Sequence, residues 1–262
     1  MHSRAVIAGN RLSLSGVTKV FESRGAPIQA IGPIDLSIAA GEFVAILGPS
    51  GCGKSTLLRM AAGLLEPSRG TVLLNDQPVT EPLTDIGIMF QNETLVPWRT
   101  VRGNIALQLE LRGLRVSDHA ATIDSLLRAV DLEEASARYP HELSGGMEQR
   151  AALCQAMVHQ PRLLLLDEPL GKLDAMTRER IRRDLQTRWL RAGPTVLFVT
   201  HSIDEAIQLS ERVAIISPRP GRIQRVLDIG LPYPRTHSVR DSAEYIAYFR
   251  EIQDIFLEYG LV

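Results

Sequence analysis

The sequence predicts a mixed α/β fold built around a largely parallel sheet. A strand-like run, FVAIL (Phe43 to Leu47), leads into the glycine-rich stretch GPSGCGKST (Gly48 to Thr56) and then into a helix-like run, TLLRMAAGLL (Thr56 to Leu65). Two more runs, RLLLLDEP and TVLFVTH, are short, continuous and apolar, and each precedes a polar, helix-starting segment. Central parallel strands covered on both faces read this way. A stretch of helical spacing separates the first set of strands from the second, so a helical insert interrupts the strand-rich core.

The first ninety or so residues divide into short strands: RLSLSGV, then PIDLSI and EFVAIL around the turn Ala39–Ala40–Gly41. TVLLNDQPV follows with Asn75–Asp76 as its hairpin turn, and IGIMF begins at Ile86. From about Ser117 the spacing turns helical, with Ile123, Leu126, Leu127 and Val130 on one face. A second helix begins near Ser144. The chain then returns to β with RLLLLDEP, TVLFVTH and RVAIISP. Near the end, Asp241 and Glu244 are spaced as a capping box, and Tyr245, Tyr248, Phe249, Ile252, Ile255 and Phe256 recur at helical spacing. That predicts an amphipathic helix over about 241–258, which either packs on the parent domain or meets a partner.

Apolar content of 45% and charged content of 23% over 262 residues fit an ordinary globular chain, read as one domain. A net charge of −1 gives no electrostatic reason to expect nucleic acid as a ligand. No apolar run approaches the ~18 residues that span a bilayer, and the start MHSRAVIAGNRLSLSG lacks the apolar segment of a secretory signal. A cytosolic chain is expected, with any membrane role exerted through a partner. Cys52 and Cys154 form neither a metal-spaced set nor a disulfide framework.

Gly48, Gly53, Lys54 and Ser55 meet the pattern G-x-x-x-x-G-K-S. Glycines let backbone N–H groups curl around phosphate oxygens, and the helix N-terminus adds partial positive charge. Lys54 would reach the β and γ phosphates, and the Ser55 hydroxyl would meet Mg²⁺. RLLLLDEP sets two carboxylates at the C-terminal end of a buried strand, where open α/β sheets present their ligand crevice. There Asp167 would meet Mg²⁺ through water, and Glu168 would orient or deprotonate an attacking water. His201, at the end of TVLFVTH, falls on the same edge; alone it reads first as a local hydrogen-bonding residue. Ser202 and Glu205 are spaced as a capping box behind it. Ser144, Gly145 and Gly146 open a second helix suited to an anion, a feature that two copies arranged head to tail would use.

With these residues in place, the sequence resembles the ATP-binding-cassette ATPases over almost its whole length. GPSGCGKS resembles the family's phosphate loop, Gln91 its glutamine loop, LSGGM (Leu143 to Met147) its signature, LLLLDE its metal-and-base strand, GKLD (Gly171 to Asp174) its D-loop and Thr200–His201 its switch histidine. The resemblance implies an α/β fold with a P-loop NTPase (RecA-like) core, an antiparallel β subdomain and a helical signature subdomain over about 92–158. It also implies binding of ATP and Mg²⁺. The nucleotide set would be Phe21, stacked on adenine, with Gly48, Pro49, Ser50, Gly51, Cys52, Gly53, Lys54, Ser55 and Thr56, completed by Ser144, Gly145 and Gly146 of a second copy. Ser55, Gln91 and Asp167 would serve the metal, and Glu168, His201 and Gln91 the hydrolysis.

Within that family, VPWRTVRGNI (Val96 to Ile105) and SPRPGRI (Ser217 to Ile223) resemble the group that energises uptake of nitrate, taurine, alkanesulfonates and similar small solutes. The short tail agrees with that resemblance, which implies no extra β-domain of the kind carried by sugar and polyamine importers. The resemblance implies a homodimer on the cytoplasmic face of the cell membrane, two permease subunits and, indirectly, an extracytoplasmic solute-binding protein. Trp98 either contacts the permease or packs under the helical subdomain. Met147, Glu148 and Lys172 depart from the commonest family residues and bear on turnover rate. A non-transport cassette ATPase, an exporter subunit and a nucleotide-binding scaffold are the competing readings. Cys52, at a helix N-terminus, is expected to have a lowered thiol pKa and to be a target for maleimides, with Mg-ATP protecting it.

Overall fold

The computed structural model describes residues 9–23, 25–92 and 95–259. The first half of the chain start MHSRAVIAGNRLSLSG, which bears on a secretory signal, lies outside them. Two sheets form. The first is antiparallel and four-stranded, in the order β2-β1-β4-β5: β1 (Leu12–Phe21), β2 (Ile28–Ile38), β4 (Arg69–Leu74) and β5 (Gln77–Pro78). Asn75 and Asp76, both with positive φ (49° and 64°), make the turn between β4 and β5, the left-handed pair that a tight hairpin requires.

The second sheet has six strands in the order β10-β9-β3-β8-β7-β6, from β3 (Phe43–Leu47), β6 (Gly87–Met89), β7 (Leu163–Asp167), β8 (Thr195–Thr200), β9 (Arg212–Ile216) and β10 (Ile223–Asp228). Its first five neighbours in space from β6 to β9 run parallel, and β10 closes the edge antiparallel to β9. Every residue of β3, β7 and β8 is buried. The two-residue alternation of each strand explains the continuous apolar runs. Phe43, Ala45, Leu47, Leu164, Leu166, Val196 and Phe198 face one core, whereas Val44, Ile46, Leu163, Leu165, Leu197 and Val199 face the other.

Helix α1 (Lys54–Ala61) fills the second core, between the two sheets, through Leu57, Leu58 and Met60. The first core is covered by α2 (Val101–Glu110), α3 (Ala120–Ala129), α4 (Gly145–Met157), α5 (Ala175–Ala192), α6 (Ile203–Leu209) and α7 (Ala243–Glu258). Ile123, Leu126, Leu127 and Val130 are all buried, as their spacing predicts.

Three details differ from expectation. Helix α2 precedes the point at which helical spacing was read, because Gly103 and the buried Asn104 break its apolar stripe of Val101, Ile105 and Leu109. Strand β10 was not anticipated, since an edge strand in which Gln224, Arg225 and Asp228 are exposed and only Leu227 is buried carries a weak apolar signal. The cap of α7 is Ser242, whose hydroxyl accepts from the Tyr245 N–H, while Asp241 ends a preceding 3-10 turn; the helix therefore starts at Ala243 and no Asp241–Glu244 box forms.

Candidate nucleotide site

Strand register gathers the site. Leu47 at the end of β3 pairs with Thr200 of β8, and Val199 pairs with Asp167 of β7. The loop after β3, the carboxylates after β7 and the histidine after β8 therefore emerge side by side at the C-terminal edge of the sheet, where α/β sheets bind ligands.

The loop Gly48 to Gly53 turns back tightly before α1. Gly51 and Gly53 have φ of 78° and 103°, and a Cβ on Gly53 would come within 2.4 Å of Ile31 Cδ1, so neither backbone strain nor space allows a side chain there. Lys54 is buried, and its ammonium donates to the carbonyls of Gly48 and Pro49, at 2.8 Å each. Helix α1 has no side-chain cap, and its first bond runs from the Leu57 N–H to the Gly53 carbonyl at 2.9 Å. The amides of its first turn thus lack intrahelical acceptors and, with the helix dipole, favour an anion. Ser50 and Gly51 form the exposed tip.

Glu168 is the hub. Its Oε1 lies 3.9 Å from Lys54 Nζ, and its Oε2 lies 3.3 Å from His201 Nδ1 and accepts from Gln91 Nε2 at 3.4 Å. Its φ of 49° is unusual for a residue with a Cβ; the Glu168 N–H to the Val199 carbonyl, at 2.9 Å, helps hold that conformation. Asp167, beside it, is only 3% exposed, and its Oδ1 has no hydrogen-bond partner among the described residues. Burial pushes the Asp167 carboxyl up, against a hydrogen bond from Ser55 and the charge of Lys54. A buried carboxylate oxygen without a partner, next to a serine hydroxyl, is a hard-oxygen donor set that fits Mg²⁺.

Phe21 and Ser144 stand outside this cluster. Phe21, at the end of β1, is 40% exposed, with the Lys19 ammonium 5.5 Å from its ring centre. Ser144 caps α4, accepting from the Met147 N–H at 3.4 Å, and with Gly145 it faces solvent. No hydrogen bond or ion pair among the described residues joins Ser144 to the phosphate loop of its own chain. Asp174 caps α5, accepting from the N–H groups of Met176 and Thr177 at 3.1 and 3.0 Å. Behind His201, the Ser202 hydroxyl accepts from the Glu205 N–H at 3.3 Å, but the Glu205 carboxylate takes the Thr200 hydroxyl at 2.6 Å instead of completing a box.

Cys52 differs from expectation. It is buried against the second core, and burial raises its thiol pKa; Lys54 and local N–H groups oppose this without reversing it. The expected low-pKa, accessible thiol is absent because the side chain points into the protein. Trp98, by contrast, is 76% exposed, which excludes its packing under the helices.

Two residues that sequence reasoning passed over shape the site. Gln149 of α4 is 2% exposed; it donates to the Glu168 carbonyl at 2.9 Å and accepts from the Lys172 N–H at 2.8 Å. One buried amide thus ties the Ser144 helix to the Glu168 peptide. Asn104 is fully buried; it accepts from the Val96 N–H at 2.6 Å and donates to the carbonyls of Val96, Arg99 and Thr100 at 3.0 to 3.1 Å, which fixes the loop that presents Trp98. The only sequence signal for either is an amide amid apolar helical positions.

Residues 31–171 match the family model described as ABC transporter. The chain is 45% identical over 206 residues to the taurine import ATP-binding protein TauB of Mesorhizobium japonicum, covering 79% of this chain and 80% of that protein. It is 40% identical over 250 residues to the nitrate import ATP-binding protein NrtD of Synechocystis, covering 93% and 94%. The dimeric, post-hydrolysis structure of the ATP-binding cassette MJ0796 bound to ADP and Pi matches with a TM-score of 0.78 and 30% identity, covering 84% of this chain and 100% of that one. The fold is that of a P-loop ATP-binding cassette. The chain belongs to the ABC transporter family.

Proposed function

We propose that this chain is the ATP-binding and ATP-hydrolysing subunit of an importer for a small solute such as taurine, an alkanesulfonate or nitrate. The observation that carries the reading is the convergence of Lys54, Gln91 and His201 on the Glu168 carboxylate, at 3.9, 3.4 and 3.3 Å, beside the partnerless oxygen of Asp167. The names of the relatives support import and the solute class.

In this reading, the loop amides and Lys54 hold the phosphates, and Lys54 leaves the Gly48 and Pro49 carbonyls to do so. Glu168 orients the attacking water and accepts its proton, Gln91 steadies that carboxylate, and His201 holds the γ-phosphate. Asp167, Ser55 and Gln91 would hold Mg²⁺, which neutralises charge on the phosphates. Phe21 stacks on adenine. Ser144 and Gly145, exposed at the start of α4, and the half-buried Gly146 complete the site of a second copy, so the working unit is a homodimer.

The chain acts as one domain, with residues about 92–158 as its helical subdomain. Among the described residues no helix is long and apolar enough to cross a membrane, so attachment to the cytoplasmic face would be peripheral, through two permease subunits, with an extracytoplasmic binding protein delivering the solute. Trp98, exposed on a loop that Asn104 holds rigid, is the anchor for the permease. No nucleic acid is involved.

The test is uptake of labelled taurine, an alkanesulfonate and nitrate in a deletion strain complemented with wild type or Glu168→Gln. Loss of one solute, restored only by wild type, is the expected result. Restoration by Glu168→Gln would contradict the assignment of Glu168, and normal uptake of all three without the gene would contradict the solute class.

A further inference from the structure

The segment Thr200–His201–Ser202 between β8 and α6 is pinned from two sides. On the inner side, Thr200 Oγ1 donates to Glu205 Oε2 at 2.6 Å and accepts from the Ser202 N–H at 3.0 Å. On the outer side, Asp204 in the first turn of α6 receives the C-terminal part of the chain. Arg240 forks onto both carboxylate oxygens, from Nε at 2.7 Å and Nη2 at 2.6 Å, and the Tyr245 hydroxyl donates to Oδ1 at 2.6 Å. Arg182 of α5, itself buried, adds a bond at 3.1 Å, and Gln208 adds another from the next turn of α6.

Docking α7 as a passive cover would need only its apolar face, in which Tyr245, Ile252 and Phe256 are buried. Arg240 and the Tyr245 hydroxyl do something else: both end on one carboxylate, three positions beyond His201. A bidentate, partly desolvated guanidinium–carboxylate pair fixes orientation as well as distance. The start of α6 is therefore held by the C-terminal segment, and His201 sits 3.3 Å from Glu168 at the near end of that start.

We propose that Arg240 and Tyr245 are positioning residues for the reaction at this site: by clamping Asp204 they set the start of α6 and so the placement of His201 against Glu168. The inference rests on the roles given above to His201 and Glu168.

The test uses the full-length protein with ¹³C-labelled histidine, the His201 ring signal being assigned by its loss in His201→Gln. Steady-state ATPase kinetics are measured alongside. In Arg240→Ala and Tyr245→Phe, the His201 signal is expected to move and kcat to fall roughly 5- to 20-fold, with KM for ATP within about twofold, because the phosphate loop is untouched. Arg240→Lys, which keeps the charge and loses the fork, should recover part of kcat. Arg225→Ala is the control: it removes the 2.8 Å pair between Arg225 and Glu251 of α7 without touching Asp204, and should leave both readouts unchanged. An unmoved His201 signal or unchanged kcat in Arg240→Ala would overturn the proposal, as would an equal effect from Arg225→Ala. A wild type that hydrolyses no ATP, with a His201 signal that still moves in Arg240→Ala, would instead count against the proposed function.

Discussion

The Cys52 thiol lies between opposing effects. The N-terminus of α1 and the Lys54 ammonium favour the thiolate, while removal from water disfavours it, and burial is the larger. Cys154 is buried too, and its thiol is pushed up to about 12. Both cysteines should therefore be inert to a thiol reagent at pH 8 in the native protein and react together on unfolding, as timed thiol labelling would show. Rapid labelling of Cys52 that ATP prevents would contradict the burial argument. At this scale, the positions of Asp167, Glu168 and His201 were legible in sequence because each ends or directly follows an apolar strand, and that of Lys54 because it opens the helix after the glycine-rich loop. The buried orientation of Cys52, and the roles of Gln149 and Asn104, were not. They depend on partners such as Glu168 and Val96 whose proximity only the tertiary fold creates.

At the scale of elements, the packing of α6 on α7 carries a pH signature. Burial would raise the Asp204 carboxyl, but hydrogen bonds from Arg240 and Tyr245 and the charge of Arg182 outweigh it and hold it at about 2, below the usual carboxylate range. A carboxyl lowered by folding adds stability above its unfolded pKa and loses it as the pH falls toward the folded value. The contribution is about 2 kcal/mol at neutral pH. Urea midpoints of wild type and Asp204→Asn should thus differ at pH 6 and converge between about pH 4 and pH 2. A gap that stays constant across that range would show that Asp204 contributes through packing and not through charge. The helix itself was legible from the spacing of its aromatic and aliphatic residues. Its clamp was not, because Arg240 and Asp204 are 36 positions apart and meet only when α7 folds back on α6.

Across the whole molecule, the order β9-β3-β8-β7 converts three separate sequence motifs into one site. Strand order cannot be read from local pattern, yet the rule that ligands meet the C-terminal edge of a parallel sheet already put the motifs on a common rim. The same architecture leaves Ser144 and Gly145 facing solvent, as the proposed role of these residues in the site of a second copy requires. That is the central claim, and light scattering of Glu168→Gln with and without Mg-ATP tests it most directly. The account predicts a monomer without nucleotide and a stable dimer with it, since binding is intact and hydrolysis is blocked. A protein that binds ATP and remains monomeric at concentrations well above its nucleotide Kd would contradict it.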